Sequence, residues 1–576
     1  MASLDTAHAS SAPFQLNPGF GDPGALTYAK PGSSRDSRRR IFRTGALAGS
    51  FWLVALTDAS FTFADLFAGI GGFHAALESL GGRCVYVAEK DPFAADVYQK
   101  AWPKGDGPGY RFVHDINVDV SPLDDVSIEQ LSGLADPDRG TIPNVPQFDI
   151  LAAGFPCQAF SKSGHQRGIL DETRGTLFYN ILRIVAERKP KIVFLENVRN
   201  LVGPRHKETT FRTIVTALQR LGYILSCDPT IISPHRIPPE MGGGPQIRER
   251  VYILAIRSDL VGRAEAFPGF SFPPSWSPKD PEQGWKIAET KLQDGAPAAL
   301  TDAWLCHAPE PLATTLRERR NLDDRRHSVK DAEWLRVWED LLHEVVKTRR
   351  LHTSPGQAPF PGFPIWFAVA DKWWRAKERR DANSKGLAWK HEFLNKSVKF
   401  LDDYQAEIEA SGVREAILRL ENNSWKKLEW QAGDAKSLSE CLIQLRPSGV
   451  RIKKADYTPA LVAINQTPIL GSERRRLTPY ETGRLQAFPD NVYDAMRAVN
   501  EPEREMYKQF GNAVHVGAVV YALTQFMRHH FEDSAPADPN LRVLWQNCQR
   551  QLSWSVFPNH APANDCTPRS GFVAGT

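Results

Sequence analysis

The stretch FADLFAGIGGF, residues 63–73, joins a short apolar run to a glycine-rich turn and then to an amphipathic segment. This order predicts a β-strand that passes through a tight turn into a helix. Glycine lets the backbone of the turn approach a ligand closely, and the helix amino terminus adds partial positive charge. The same pattern often serves packing alone, so residues 63–73 leave both ligand binding and a purely structural turn open.

A second predicted strand, VYVAE, residues 85–89, ends in Glu89 about 20 residues beyond the glycine turn, where dinucleotide-binding folds place an acid on ribose hydroxyls. The G-x-G-x-x-G spacing that binds a pyrophosphate is absent, and Asp65 would repel phosphates. A nucleoside cofactor without phosphate, such as S-adenosylmethionine, therefore fits the sequence better than a dinucleotide.

Short apolar runs alternate with longer amphipathic stretches from residue 61 onward, and Thr176–Arg188 has apolar residues at helical spacing. This alternation predicts an α/β fold with a doubly wound, mostly parallel sheet. The predicted strands are residues 61–67, 84–88, 148–153, 192–195 and 251–256.

Changes in composition predict five segments along the chain. Residues 1–58 are rich in Ala, Ser, Pro and Gly and are expected to form a partly disordered extension. The α/β pattern covers residues 59–260 and resumes at 471–535. Between them, residues 261–470 hold 11 of the 15 Trp residues and form a predicted second domain, whose Trp side chains we expect mainly to pack its core. Residues 536–576 are expected to form a tail.

The net charge of +4 over 576 residues does not identify a partner, because nucleic-acid binding depends on local clusters of Lys and Arg. The seven cysteines form no close pairs, so neither a metal site nor a disulfide framework is expected. Residues 37–43 precede an apolar run at 46–56 and resemble a twin-arginine export signal. No A-x-A cleavage site follows, so we expect a cytoplasmic protein without a membrane span.

Cys157 follows a predicted strand in the segment GFPCQ, residues 154–158. Open α/β sheets bind ligands at the carboxyl ends of their strands, although an isolated Cys is more often an inert buried residue. Glu196 ends a neighbouring predicted strand, and Arg248 and Arg250 precede another. Their joint appearance at successive strand ends favours a site with a nucleophilic Cys over unrelated structural residues.

Seven motifs follow one another along the chain: DLFAGIGG from Asp65, GFPCQAFS from Gly154, RGTLF from Arg174, ENV from Glu196, QIRER from Gln246, RRLTPYETGRLQAFPD from Arg475 and YKQFGNAVHV from Tyr507. In this order they resemble the motifs of the DNA (cytosine-5) methyltransferase family, of the bacterial modification-enzyme type. Two departures are Ala487, where the family usually has Gly, and the length of the segment at residues 261–470.

The resemblance implies methyl transfer from S-adenosylmethionine to C5 of a cytosine within a specific duplex DNA sequence, through base flipping and a covalent adduct between Cys157 and C6. It assigns Cys157 as the nucleophile, Glu196 to the base N3 and Arg250 to the base carbonyl oxygen. Arg248 would support a nearby phosphate or the active loop, and residues 261–470 would form a target-recognition domain.

The resemblance also implies two further groups of binding residues. A mobile loop would contact DNA through Ser161, Lys162, His165 and Arg167. The cofactor would be bound by Asp65, Phe67, Ala68, Gly69, Gly71, Gly72, Glu89, Lys90, Asp115, Ile116, Pro156, Leu177, Asn512 and Val514.

Duplex DNA is the expected partner, with a cognate restriction endonuclease as a further one, and we expect a monomer that associates with the nucleoid while acting on DNA. Two alternatives remain open. One is a tRNA cytosine-5 methyltransferase with the same chemistry, which the large segment at residues 261–470 disfavours. The other is a catalytically silent DNA-binding scaffold, which the intact Cys157, Glu196, Arg250 and Asn512 disfavour.

Overall fold

The computed structural model describes residues 61–103, 109–120, 142–155, 176–226, 228–238, 241–261, 325–352, 360, 364–368, 388–462 and 466–554. All of them belong to one compact unit that spans Leu47–Thr576. No helix in these ranges is both long enough and apolar enough to cross a lipid bilayer.

The described residues of the first part of the chain include nine strands, and eight of these form the main sheet. They are β1 (Phe61–Leu66), β2 (Gly82–Ala88), β3 (Arg111–Val113), β4 (Ile150–Ala153), β5 (Ile192–Val198), β6 (Tyr223–Leu225), β7 (Thr230–Ile232), β8 (Gln246–Ile247) and β9 (Arg250–Arg257). The order in the main sheet is β3-β2-β1-β4-β5-β9-β6, and β7 also pairs with β9.

The pairings from β3 to β5 are parallel, whereas β9 runs antiparallel to β5, β6 and β7. Helices cover both faces, among them α1 (Gly72–Ser79), α2 (Pro92–Ala101), α3 (Thr176–Arg188) and α4 (Arg212–Arg220). The predicted α/β fold with a mostly parallel sheet is confirmed. The helix predicted at Thr176–Arg188 has these bounds, and the five predicted strands are β1, β2, β4, β5 and β9.

Local sequence explains where several helices begin. The Asp91 side chain accepts a hydrogen bond from the Phe93 amide, and Pro92 occupies the first turn of α2. Past the insert, helix α9 (Pro479–Leu485) begins with a capping box between Thr478 and Glu481, in which each side chain bonds the other residue's amide.

Residues 325–476 include a second α/β module with its own apolar core. Trp334, Trp338 and Trp430 are buried in this core, as expected for a Trp-rich domain. The module has helices α5 (Glu333–His352), α6 (Ala388–Asp403), α7 (Gln405–Ala410) and α8 (Val413–Arg419), and strands β10 (Pro364–Trp366), β11 (Lys427–Gln431), β12 (Cys441–Arg446), β13 (Gly449–Lys454), β14 (Thr458–Pro459), β15 (Ile469–Leu470) and β16 (Arg475–Arg476).

The second sheet has the order β10-β11-β13-β12-β15-β16, so this module, here called the insert, continues a few residues past the predicted boundary at 470. Strand β14 leaves the insert and pairs with β8. A small apolar cluster joins the insert to α9 through Leu442, Leu461, Leu470, Leu477 and Leu485.

The chain then returns to the main sheet through α10 (Asp490–Ala498), α11 (Glu503–Asn512), α12 (Val516–Phe531) and α13 (Pro539–Trp554). The tail predicted at residues 536–576 is wrong for residues 539–554. Helix α13 packs into the core of the main sheet and buries Leu541, Leu544, Trp545 and Cys548. These four residues recur at helical spacing, and this pattern predicts a helix. It was missed because polar and Pro residues surround it.

Candidate active site

The parallel register brings the carboxyl ends of four neighbouring strands to one edge. Leu66 at the end of β1 lies opposite Ala88 of β2 and Ala153 of β4, and Ala153 in turn lies opposite Leu195 of β5. The glycine turn, Glu89, Gly154 and Glu196 follow these four positions, so they meet at the edge where such sheets bind ligands.

The glycine turn after β1 has a backbone that side chains would obstruct. Phe67, a half-buried residue, has φ of 56°, and Gly71 has φ of 87°; a left-handed non-glycine residue such as Phe67 is strained and typical of binding sites. A Cβ atom at Gly71 would lie 2.1 Å from Nε1 of Trp102, and one at Gly72 would lie 2.5 Å from Cγ2 of Val514. The turn therefore needs bare backbone at both glycines.

Trp102 supports this turn from below, and sequence reasoning missed it. Its Nε1 donates a hydrogen bond to the Ile70 carbonyl at 3.2 Å, and its ring stacks on His74 with a centroid distance of 4.3 Å. A single Trp at the end of α2 carries no local pattern that would have linked it to a turn some 30 residues earlier.

Glu89 contacts the glycine turn directly. One carboxylate oxygen accepts a hydrogen bond from the Gly69 amide and the other from the Asp91 amide, both at 2.7 Å. Burial raises the pKa of Glu89, and these amides partly oppose that rise. Its position suits the predicted contact with ribose hydroxyls, and the bare glycines beside a carboxylate fit a nucleoside without phosphate.

Asp115, predicted at the adenine end of the cofactor, lies on the next strand connection. Its carboxylate accepts hydrogen bonds from the amide and side chain of Asn117 and faces Lys90 Nζ at 3.4 Å. The bond from the Asn117 amide is the main cause of a lowered pKa at Asp115. The Lys90 side chain is exposed, whereas the Ile116 side chain is buried.

Asp65, predicted to contact the cofactor, lies fully buried beneath the turn. Neither carboxylate oxygen has an aligned hydrogen bond among the described residues, although the His74 amide is close enough to favour the charged form. Burial nevertheless holds the pKa of Asp65 well above its usual range. The Asp65 side chain therefore lies within the core and does not face the ligand, in contrast to the predicted contact with the cofactor.

Glu196 and Arg250 form an ion pair across the antiparallel strands β5 and β9. Arg250 Nε lies 3.1 Å from Glu196 Oε1, and both side chains are largely buried. That oxygen has no aligned hydrogen bond among the described residues, and burial raises the pKa of Glu196 against the opposing charges of Arg250 and Arg248. The carboxyl group is therefore held near a cation yet resists ionisation.

Arg248 is buried, with 2% of its surface exposed. Its guanidinium donates to the Leu461 carbonyl at 3.0 Å and to the carbonyls of Gly511 and Ala513 at 3.1 and 2.7 Å. Through these contacts Arg248 joins the insert to the turn after α11 and holds that turn in position. Its predicted role at a phosphate or the active loop stays a prediction.

That turn holds the last two predicted cofactor residues. Asn512 is exposed at the end of α11, and Val514 is buried beside Gly72. A Cβ atom at Gly154 would lie 3.7 Å from Val514 Cγ1 and 3.9 Å from Glu196 Oε2. The turn after α11, the glycine turn and the Glu196 carboxylate thus border one space.

Asn197 positions the segment that leads to Cys157, and sequence reasoning did not single it out. Its Nδ2 donates to the Phe155 carbonyl at 3.2 Å, two residues before the Cys.

Two of the other predicted residues are placed by the structure. The Ala68 amide, in the glycine turn, donates to the Ala88 carbonyl at 3.1 Å, and Leu177 is half-buried in α3. Pro156, Cys157, Ser161, Lys162, His165 and Arg167 lie outside the described residues.

Comparison with known proteins gives three consistent findings. The family model described as C-5 cytosine-specific DNA methylase matches residues 61–528. The type II methyltransferase M.AluI of Cellulosimicrobium cellulans is 36% identical over 540 residues, which cover 82% of this chain and 92% of that protein. M.HhaI of Haemophilus parahaemolyticus is 36% identical over 219 residues, 38% of this chain and 56% of that protein.

A Gly71→Ala substitution tests the bare glycine turn. We expect S-adenosylmethionine to bind at least about tenfold more weakly by titration calorimetry, because the new Cβ meets the Trp102 ring and moves the turn. Gly222→Ala is a matched control, since Gly222 has the same φ of 87° but open space around its Cβ position. Equal affinities in the two variants would contradict this account of the turn.

A Glu196→Gln substitution tests the burial of the carboxyl group. Because the folded-state pKa lies above the ordinary 4.5, the parent should lose stability as pH rises from about 4.5 through that raised pKa. The Glu196→Gln variant has no such loss. Its free energy of unfolding should therefore rise relative to that of the parent by about 1.4 kcal/mol for each pH unit of that interval. Urea unfolding between pH 4 and pH 8 measures the difference; a pH-independent difference would contradict the prediction.

Proposed function

Because this chain belongs to the C-5 cytosine-specific DNA methylase family, we propose that Cys157, Glu196 and Arg250 act together on the cytosine it methylates. The protein is a DNA (cytosine-5-)-methyltransferase, which transfers a methyl group from S-adenosylmethionine to C5 of cytosine in DNA. The observation that carries the residue assignment is the buried Glu196 and Arg250 pair beside Gly154, three residues before Cys157.

Cys157 is the proposed nucleophile. Carbon C5 of cytosine is unreactive within its aromatic ring, and a covalent step makes it nucleophilic. The Cys157 thiolate forms a bond to C6, and the electron pair of the C5–C6 double bond becomes available at C5. After methylation a base removes the C5 proton, the double bond re-forms and the thiolate leaves.

Glu196 and Arg250 are proposed to hold the ring during this step. A carboxyl group with a raised pKa keeps its proton to higher pH, so Glu196 can donate to N3 and draw electron density away from C6. Arg250 then contacts the base carbonyl oxygen. The distance of 3.1 Å between Arg250 Nε and Glu196 Oε1 supports this proposal, because side chains so close together could contact neighbouring atoms of one base.

The glycine turn, Glu89 and the turn at Val514 are proposed to hold the cofactor. S-adenosylmethionine supplies an electrophilic methyl group on its sulfonium when bound. Phe67 would pack on the adenine, Glu89 would accept the ribose hydroxyls, and Asn512 with Val514 would close the methionine side. Among the remaining predicted residues, Asp115 is proposed to contact the adenine end of the cofactor, and Lys90, which donates to Asp115, to bind the cofactor beside it.

The DNA substrate must present its cytosine outside the helix stack, at a cost of a few kcal/mol. We propose that the loop bearing Ser161, Lys162, His165 and Arg167 closes on phosphates and that the insert, predicted at residues 261–470, reads the sequence. A cognate restriction endonuclease, a monomeric state and a cytoplasmic, nucleoid-associated location also belong to this proposal. The type II naming of M.AluI supports the first of these.

Replacing Cys157 tests the covalent step. We expect Cys157→Ser to lower methyl transfer to duplex DNA by roughly a thousandfold or more and to abolish a denaturant-resistant complex with DNA that carries 5-fluorocytosine at the target. Fluorine takes the place of the C5 proton, and a base cannot remove it as a cation. The adduct therefore persists in the parent protein. Bisulfite sequencing of host DNA first maps the methylated site.

Cys441→Ala is the control, because Cys441 is buried in the insert core and should leave trapping intact. A Cys157→Ser protein that still forms the complex would overturn the assignment. Methyl transfer to tRNA alone would favour the RNA alternative, and a parent inactive on every DNA would favour the silent scaffold.

A further inference from the structure

Three charged residues form a cluster on one face of the insert sheet, here called the arginine platform: Glu429, Arg446 and Arg451. Adjacent strands supply one residue each, and Glu429 lies directly opposite Arg451 in the parallel pairing of β11 with β13. Arg446 ends β12, where a two-residue turn leads into β13. The opposite face of these strands belongs to the insert core.

The platform holds two cations on one carboxylate. Glu429 Oε1 accepts from Arg451 Nη2 at 2.8 Å, and its Oε2 accepts from Arg446 Nη2. Both arginines are half-buried, and the Nε of each has no hydrogen bond within the part of the chain that the structure describes. Burial and the charge of Arg451 lower the pKa of Arg446. The cluster therefore keeps a net positive charge. Each Nε is buried and cannot reach a ligand, whereas neither Nη1 has a hydrogen bond among the described residues.

The platform faces the side of the insert that meets the catalytic part of the chain. Side chains alternate along a strand, so Leu442 shares a face with Arg446. Leu442 belongs to the same small apolar cluster as Leu485 of α9. Arg446 lies four residues further along β12, about 13 Å away. The platform thus lies just past the place where the two parts touch.

We propose that Arg446 and Arg451 read a guanine in the recognition sequence, with Glu429 holding their guanidinium groups in position. Guanine presents O6 and N7 in the major groove, which match the fork of an arginine.

A base edge fits this geometry better than a phosphate. Glu429 reduces the charge available to a phosphate, but it fixes the plane of each guanidinium, which is what directional readout requires. This inference rests on the proposed recognition of duplex DNA by the insert, and it adds which residues and which base are involved.

Arg446→Lys and Arg451→Lys test the proposal, because Lys keeps the charge but loses the planar fork. Arg474→Lys is the matched control, since Arg474 also pairs with a carboxylate in this module, Glu339 at 2.9 Å, but lies outside the platform. Methylation rates are compared on the parent's mapped sequence and on duplexes with each base pair changed singly, and thermal unfolding is recorded for every variant.

We expect discrimination to fall about 5- to 150-fold at one G·C pair in at least one platform variant, with the other positions and the control unchanged. A uniform loss over all sequences, with a smaller salt dependence, would mean phosphate contact and overturn the proposal. Unchanged discrimination in both platform variants would also overturn the proposal. So would a recognition sequence in which the only guanine is the one paired with the methylated cytosine. Sequence-specific methylation by the parent protein tests the proposed function by itself. When the parent shows it, the results for the variants test the arginine platform alone.

Discussion

The buried guanidinium of Arg248 joins three parts of the chain that are far apart in sequence. Its own strand connection precedes β9, one bond reaches Leu461 at the end of the insert, and two reach the turn between Gly511 and Ala513. A buried charge is costly unless its donors are paired, so these carbonyls must stay where they are. The arrangement fixes the insert, the turn after α11 and the start of β9 against one another.

The catalytic pair depends on this arrangement. Arg250 follows Arg248 by two residues and lies against Glu196. One of the carbonyls that Arg248 contacts belongs to Ala513, the residue directly before Val514. Val514 in turn occupies the space that a side chain at Gly72 would need. In the proposed site, the residues assigned to the cofactor and those assigned to the base are therefore connected through backbone that the Arg248 side chain holds.

Much of the site could be predicted because its parts follow strands, where apolar runs, glycines and charged ends are local signals. Ala487 illustrates a finer case: the family usually has Gly there, and the structure gives Ala487 a φ of 58°, a conformation that favours Gly. Long-range partners left no local signal. Trp102 under the glycine turn, Arg248 on distant carbonyls and α13 beneath the sheet depend on contacts that only the folded chain brings together.

The most direct test of this account is the affinity of an Arg248→Lys protein for S-adenosylmethionine, measured by titration calorimetry beside Arg257→Lys at the opposite end of β9. A lysine keeps the charge but cannot reach all three carbonyls, and each such bond contributes about 1.5–3 kcal/mol. The account predicts that the cofactor dissociation constant rises at least about tenfold in Arg248→Lys alone. An unchanged constant in a folded Arg248→Lys protein would contradict it.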